Sequence, residues 1–92
     1  MAGKPLIFRV HAIQRMAQRR IRVEDIRRVL DTGEVIENYP DDFPYPSALV
    51  LGWIDRQAIH VVAVTTPAEK IVITVHEPDP ARWEADFKRR KM

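Results

Sequence analysis

Residues 47–77 read SALVLGWIDRQAIHVVAVTTPAEKIVITVHE, and the spacing of apolar runs and turn residues within them decides the fold class. Residues 47–54 and 57–65 are two apolar, β-branched runs separated only by Asp55–Arg56, the length of a tight hairpin connection. The second run, QAIHVVAVT, is apolar on both faces, as in a central strand covered on both sides. Thr66–Ala68 supplies the next turn, and residues 69–77 supply a further strand. Links this short force neighbouring strands to run antiparallel. Upstream, residues 34–40 (EVIENYP) alternate in character and begin the β part. The intervening DDFPYP, residues 41–46, is too rich in proline to join a central strand. The reading is a four-stranded antiparallel meander.

Helical spacing precedes the sheet. At about 100° per residue, Val10, Ile13, Met16 and Ala17 fall on one side of a helix over residues 10–20. His11, Gln14, Arg15, Gln18 and Arg19 fall on the other. A second helix over residues 23–32 aligns Val23, Ile26, Val29 and Leu30, with Glu24 and Asp25 in its first turn, which suits the helix dipole. Gly33 is the natural left-handed stop. Pro5–Arg9 is either an edge strand or the lead into the first helix. At the other end, Asp79–Pro80 has the form of a helix start, and Trp83 and Phe87, four apart, would anchor that C-terminal helix. The chain thus reads as one α+β domain over residues 1–92, with two N-terminal helices, the meander and a last helix.

Ninety-two residues suffice for one core. With no cysteine, neither a disulfide framework nor a thiolate metal site is available. No apolar run approaches the roughly 18–20 residues that span a bilayer, so the reading is cytoplasmic with no membrane partner. The net charge is +2 but is segregated. Residues 1–33 carry eight Lys/Arg against three Asp/Glu, residues 34–79 two against eight, and residues 80–92 five against two. Basic ends around an acidic middle suit nucleic acid or an acidic protein partner, and equally suit two solvated arginine-rich helices.

His11 and Arg15 lie one helical turn apart and can face one anion. Metal-free RNA cleavage needs a base for the 2′-hydroxyl, an acid for the leaving oxygen and a cation for the charge on phosphorus. Histidine and arginine supply those groups. His60 interrupts the apolar AIHVVAV. It is either a hydrogen-bonded core histidine or a second acid–base group meeting His11. Thr74 and His76 share a face of the last strand and extend a polar patch beside His60 if the two strands pair in register. Arg19 and Arg22 would hold the RNA backbone. The three histidines lack short ligand spacing, so no metal or other cofactor is expected. Asp41 and Asp42 read as solvated turn formers. Tyr39, Phe43 and Tyr45, beside prolines, either stack on a base or fold their loop back onto the body.

His11-Ala-Ile-Gln-Arg-Met16 with Gln18-Arg-Arg-Ile21 resembles the HAxxRMxxRGI opening of the DUF4258 family. Residues 39–47 (YPDDFPYPS), 59–62 (IHVV) and 73–80 (ITVHEPDP), followed by Trp83, resemble its later blocks. The family is similar to small RelE-type toxins with two helices followed by an antiparallel sheet. The resemblance implies a ribonuclease or ribosome-associated toxin partnered by a small zinc-finger antitoxin-like protein. It places the polar signature on His11, Arg15, His60 and Thr74. Arg20 stands where the family usually has glycine, and His76 where tyrosine is common. The expected function is therefore a metal-independent ribonuclease of a toxin–antitoxin-type pair. The alternative is a non-catalytic module that binds an antitoxin or forms a homo-oligomer through a strand edge.

Overall fold

The computed structural model describes residues 4–92. Leu6–Phe8 (β1) enters as a short strand, and Val10–Arg19 (α1) follows at once. α1 buries Ala12 and Met16, four residues apart. Val10 and Ile13, expected to face the core, are 66% and 53% exposed. The helix is rotated from the expected stripe because Phe8 before it and Ile21 after it both pack on the core. Those two tethers select the narrower Ala12–Met16 seam. At its end Arg20 adopts the left-handed conformation, φ 56° and ψ 37°.

Val23–Thr32 (α2) starts where the Asp25 carboxylate accepts the Arg22 backbone N–H at 3.0 Å. Of the expected stripe it buries Ile26 and Val29 and half-buries Leu30, but Val23 in its first turn is 43% exposed. Gly33 closes the helix, but in an extended conformation, φ −75° and ψ 179°, rather than a left-handed one. The need for glycine there is close approach: a Cβ would collide with the carbonyl oxygens of Val29 and Leu51.

Four strands follow: Glu34–Tyr39 (β2), Ser47–Ile54 (β3), Gln57–Thr65 (β4) and Lys70–His76 (β5). The sheet order is β1-β5-β4-β3-β2. β2 through β5 pair antiparallel, and Ile54 opposite Gln57 closes the hairpin with Asp55 left-handed at φ 56°. The four-stranded antiparallel sheet is corrected in one respect. β1 adds a fifth strand parallel to β5, with Leu6, Ile7 and Phe8 opposite Lys70, Ile71 and Val72, so the sheet is mixed. The last strand of the meander leaves an open edge, and the chain's first segment fills it. Three residues are too few to show a strand period.

The C-terminal helix is corrected as well. Asp79 does cap a turn, its Oδ1 accepting the Ala81 N–H at 2.9 Å. That turn ends at Trp83, whose N–H reaches the Asp79 carbonyl at 3.1 Å. The chain then doubles back through Phe87, φ 58°, so that Trp83 faces Arg90 in an isolated antiparallel bridge. Trp83 packs on His60 and Phe87 on Trp53. Those anchors lie on different strands, so tertiary contact overrides local helix preference.

Side chains alternate across the sheet, except where a bulge in β5 opposite Val62–Ala63 lets both Val72 and Val75 face the core. Val50, Ile59, Val61, Val72 and Val75 meet Ala12, Met16, Ile26 and Val29 in the main core. Gly52 faces the same way, where a Cβ would lie 2.7 Å from both Val29 methyls. The other face carries Leu49, Leu51, Ala58, His60, Val62, Thr74 and His76. Part of it is covered by the tail, through Trp83, and part by the proline-rich loop.

Candidate functional site

β1 pairs with β5 only as far as Val72, whose carbonyl accepts the Arg9 N–H at 2.9 Å. Beyond that point the chain turns into α1, and the first turns of α1 flank the rest of β5. This brings His11 and Arg15 beside Thr74, Val75 and His76 around one cavity of about 390 Å³. His11 and Arg15 are exposed, whereas Thr74 and His76 are partly buried. Arg19 continues the same flank one turn on and pairs with Glu77 at 3.3 Å.

His60 is not in that cleft. Its side chain is fully buried, and its Nε2 lies 2.9 Å from the Phe87 carbonyl oxygen. With that nitrogen donating, Nδ1 is left buried without a partner. The ring meets Trp83 edge-on at 4.5 Å between centroids and His76 edge-on at 5.5 Å. His60 therefore stands behind His76 as the wall of the site. Burial pushes its pKa below the usual histidine value, against the Phe87 carbonyl and Glu37, which pull it up. His76 is also pushed down, first by burial and then by His60, Arg15 and Arg90. These causes favour its neutral imidazole form.

A second cavity of about 410 Å³ adjoins the first through His76 and is lined also by Tyr39, Leu49, Asp79, Arg82 and Arg90. Here the Glu37 carboxylate accepts Arg90 Nε at 2.9 Å and the Tyr39 hydroxyl at 2.6 Å. The guanidinium of Arg90 lies 4.6 Å from the Trp83 ring centre. The Arg90 hydrogen bond holds the Glu37 carboxyl below its ordinary pKa.

The structure thus brings His11, Arg15 and Thr74 together, sets His60 apart, and adds His76. Arg22 lies at the start of α2, 3.9 Å from Asp25, and lines neither cavity. The signal for His76 was its two-residue offset from Thr74, which puts both on one strand face. Among the described residues no group of three or more His, Cys, Asp and Glu is placed to hold a metal ion. Among the described residues no helix is long and apolar enough to cross a membrane.

Residues 8–77 match the model of a domain of unknown function, DUF4258. The chain belongs to the DUF4258 family. That span runs from Phe8 in β1 to Glu77 just after His76, so every residue of the cleft lies inside the DUF4258 domain. The Trp83–Arg90 tail lies beyond the matched span. Within the DUF4258 domain Arg20 is left-handed, at the φ of 56° that glycine takes without penalty. No curated protein and no solved structure matches the chain.

Proposed function

We propose that this DUF4258 protein is a metal-independent endoribonuclease working at the His11–Arg15–Thr74–His76 cleft. The observation that carries the reading is the lining of one cavity by two imidazoles, a guanidinium and a hydroxyl. His76, whose neutral form burial favours, takes the proton from a ribose 2′-hydroxyl. The 2′-oxygen attacks phosphorus, and the bond to the 5′-oxygen breaks. His11 gives that oxygen a proton. The products are a 2′,3′-cyclic phosphate and a 5′-hydroxyl. Arg15 balances the charge on the non-bridging oxygens, and the Thr74 hydroxyl donates to one of them. His60 holds the His76 ring in place and transfers no proton. Cytoplasmic action as the toxin of a pair, on free or ribosome-bound RNA, with a zinc-finger antitoxin-like protein as antidote, rests on the family resemblance.

The test is RNA incubated with pure protein and a chelator, beside His11→Ala and Arg15→Ala. Both residues are exposed, so both variants should fold. Wild type should leave cyclic-phosphate ends, and loss of the acid should slow cleavage about 10²- to 10⁴-fold. Equal cleavage by all three proteins, or no cleavage of single-stranded, structured or ribosome-bound RNA by wild type, ends the proposal. A second reading, a non-catalytic interaction module, draws on Ile7, Val10 and Ile13, which are 44%, 66% and 53% exposed. It gains if RNA stays intact.

A further inference from the structure

Phe43 is 93% exposed and Tyr45 42% exposed, both on the proline-rich loop between β2 and β3. Neither exposure serves the core. The loop leans over the sheet face opposite the helices. There Phe43, Pro44, Tyr45, Arg9 and the apolar side chains of Val62, Val64, Ile71 and Ile73 line a trough of about 290 Å³. The loop is tied at both ends: the Ser47 hydroxyl donates to the Asp42 carboxylate, and the Asp42 N–H to the Tyr39 carbonyl at 3.2 Å. The aromatic rings are thus presented on a fixed base.

The trough adjoins the second cavity at Val62, and that cavity meets the cleft at His76. Ile73 precedes Thr74 in the chain, and Val62, opposite Thr74 on β4, lines both the trough and the cavity beside His76. Along β5, Ile71 and Ile73 lie about 10–17 Å from His76 at the usual rise per strand residue. Among the described residues no carboxylate pairs with Arg9 in the trough or with Arg15 in the cleft. Of the carboxylates near this surface, Glu77 pairs with Arg19 and Glu37 with Arg90, while Asp42 at the trough accepts from Ser47 and Asp79 from the Ala81 N–H. One end of the surface therefore offers flat apolar rings and the other offers cations, which is the chemistry of an unpaired nucleic-acid strand.

We infer that the Phe43–Tyr45 loop and the trough beneath it form a base-stacking subsite for single-stranded RNA, holding a nucleotide that flanks the phosphate in the His11–His76 cleft. The inference rests on the nucleic-acid reading of that cleft but not on its catalysis. A duplex buries the faces of its bases and would find no purchase. The trough is small, at the lower end of ligand pockets, which fits one base at a time.

The test measures binding of a labelled all-2′-deoxy single strand of about eight nucleotides, which lacks the attacking hydroxyl and survives the assay. Phe43→Ala with Tyr45→Ala should weaken binding about 5- to 150-fold, the effect of losing one stacked base. Circular dichroism should be unchanged. In Phe43→Trp, oligonucleotide should quench the new indole emission, whereas inorganic polyphosphate should not. Unaltered affinity of the double variant overturns the inference, even if wild type cleaves RNA. Equal affinity for duplex, or for polyphosphate, also overturns it. Single-strand binding lost in the double variant, with no cleavage of any RNA by wild type, supports the inference and removes the nuclease reading alone.

Discussion

Acidification should destabilise this protein well above the carboxylate range, and His60 should account for much of the loss. In the fold its ring is buried, with one nitrogen on the Phe87 carbonyl and the other without a partner. A proton on that ring would sit against His76 and within reach of the Arg90 charge, with Glu37 the compensating charge. Its folded pKa is therefore depressed, so the unfolded chain binds the proton more readily. Stability is complete above the unfolded value of about 6.5 and falls as pH drops toward the folded value. For a histidine that stays neutral when folded, the cost between about pH 7.5 and pH 5.5 is at most about 1.4 kcal/mol. His76 is depressed too but is partly exposed, so it adds less. Glu37, with its lowered pKa, loses its contribution as pH falls through the ordinary carboxylate value of about 4.5 toward the lower folded value, below this window. Urea titrations at the two pH values, compared at constant m, measure the difference. His60→Leu should remove roughly half of the wild-type loss or more, whatever it does to stability at pH 7.5. An identical loss in wild type and variant would refute the assignment of His60 as a buried neutral imidazole.

Two further expectations concern the chain's stability. Arg20→Gly should raise Tm by a few degrees, because a left-handed non-glycine residue costs about 1–2 kcal/mol and glycine returns only about 0.4–1 kcal/mol of that through the unfolded chain. A lower Tm would show that Arg20 makes a compensating contact. Trp83→Ala should cost about 3–5 kcal/mol and strip hydrogen-exchange protection from the Glu84 and Lys91 amides, which now bond Arg89 and Arg82. Retained protection would mean that the tail is held by its ion pairs, Lys88 with Glu34 and Arg90 with Glu37.

Elements whose signal lies in adjacent residues were legible in the chain before it folded. The strands over residues 47–54 and 57–65 stand where the apolar runs placed them, because period and turn chemistry are written in neighbouring residues. The α2 seam of Ile26 and Val29 and the pairing of His11 with Arg15 on one flank follow for the same reason. Tertiary structure alone decided what depends on distant partners. β1 became a strand because β5 had an edge to offer, and the tail gave up its helix because Trp83 and Phe87 were claimed by two different strands. His60 and His76 could not be told apart by spacing, since both point to the same sheet face. Only the tail, laid over one and leaving the other beside α1, made His60 a wall and His76 a lining of the cleft. Burial is a property of what covers a residue, and here that cover comes from 27 residues away.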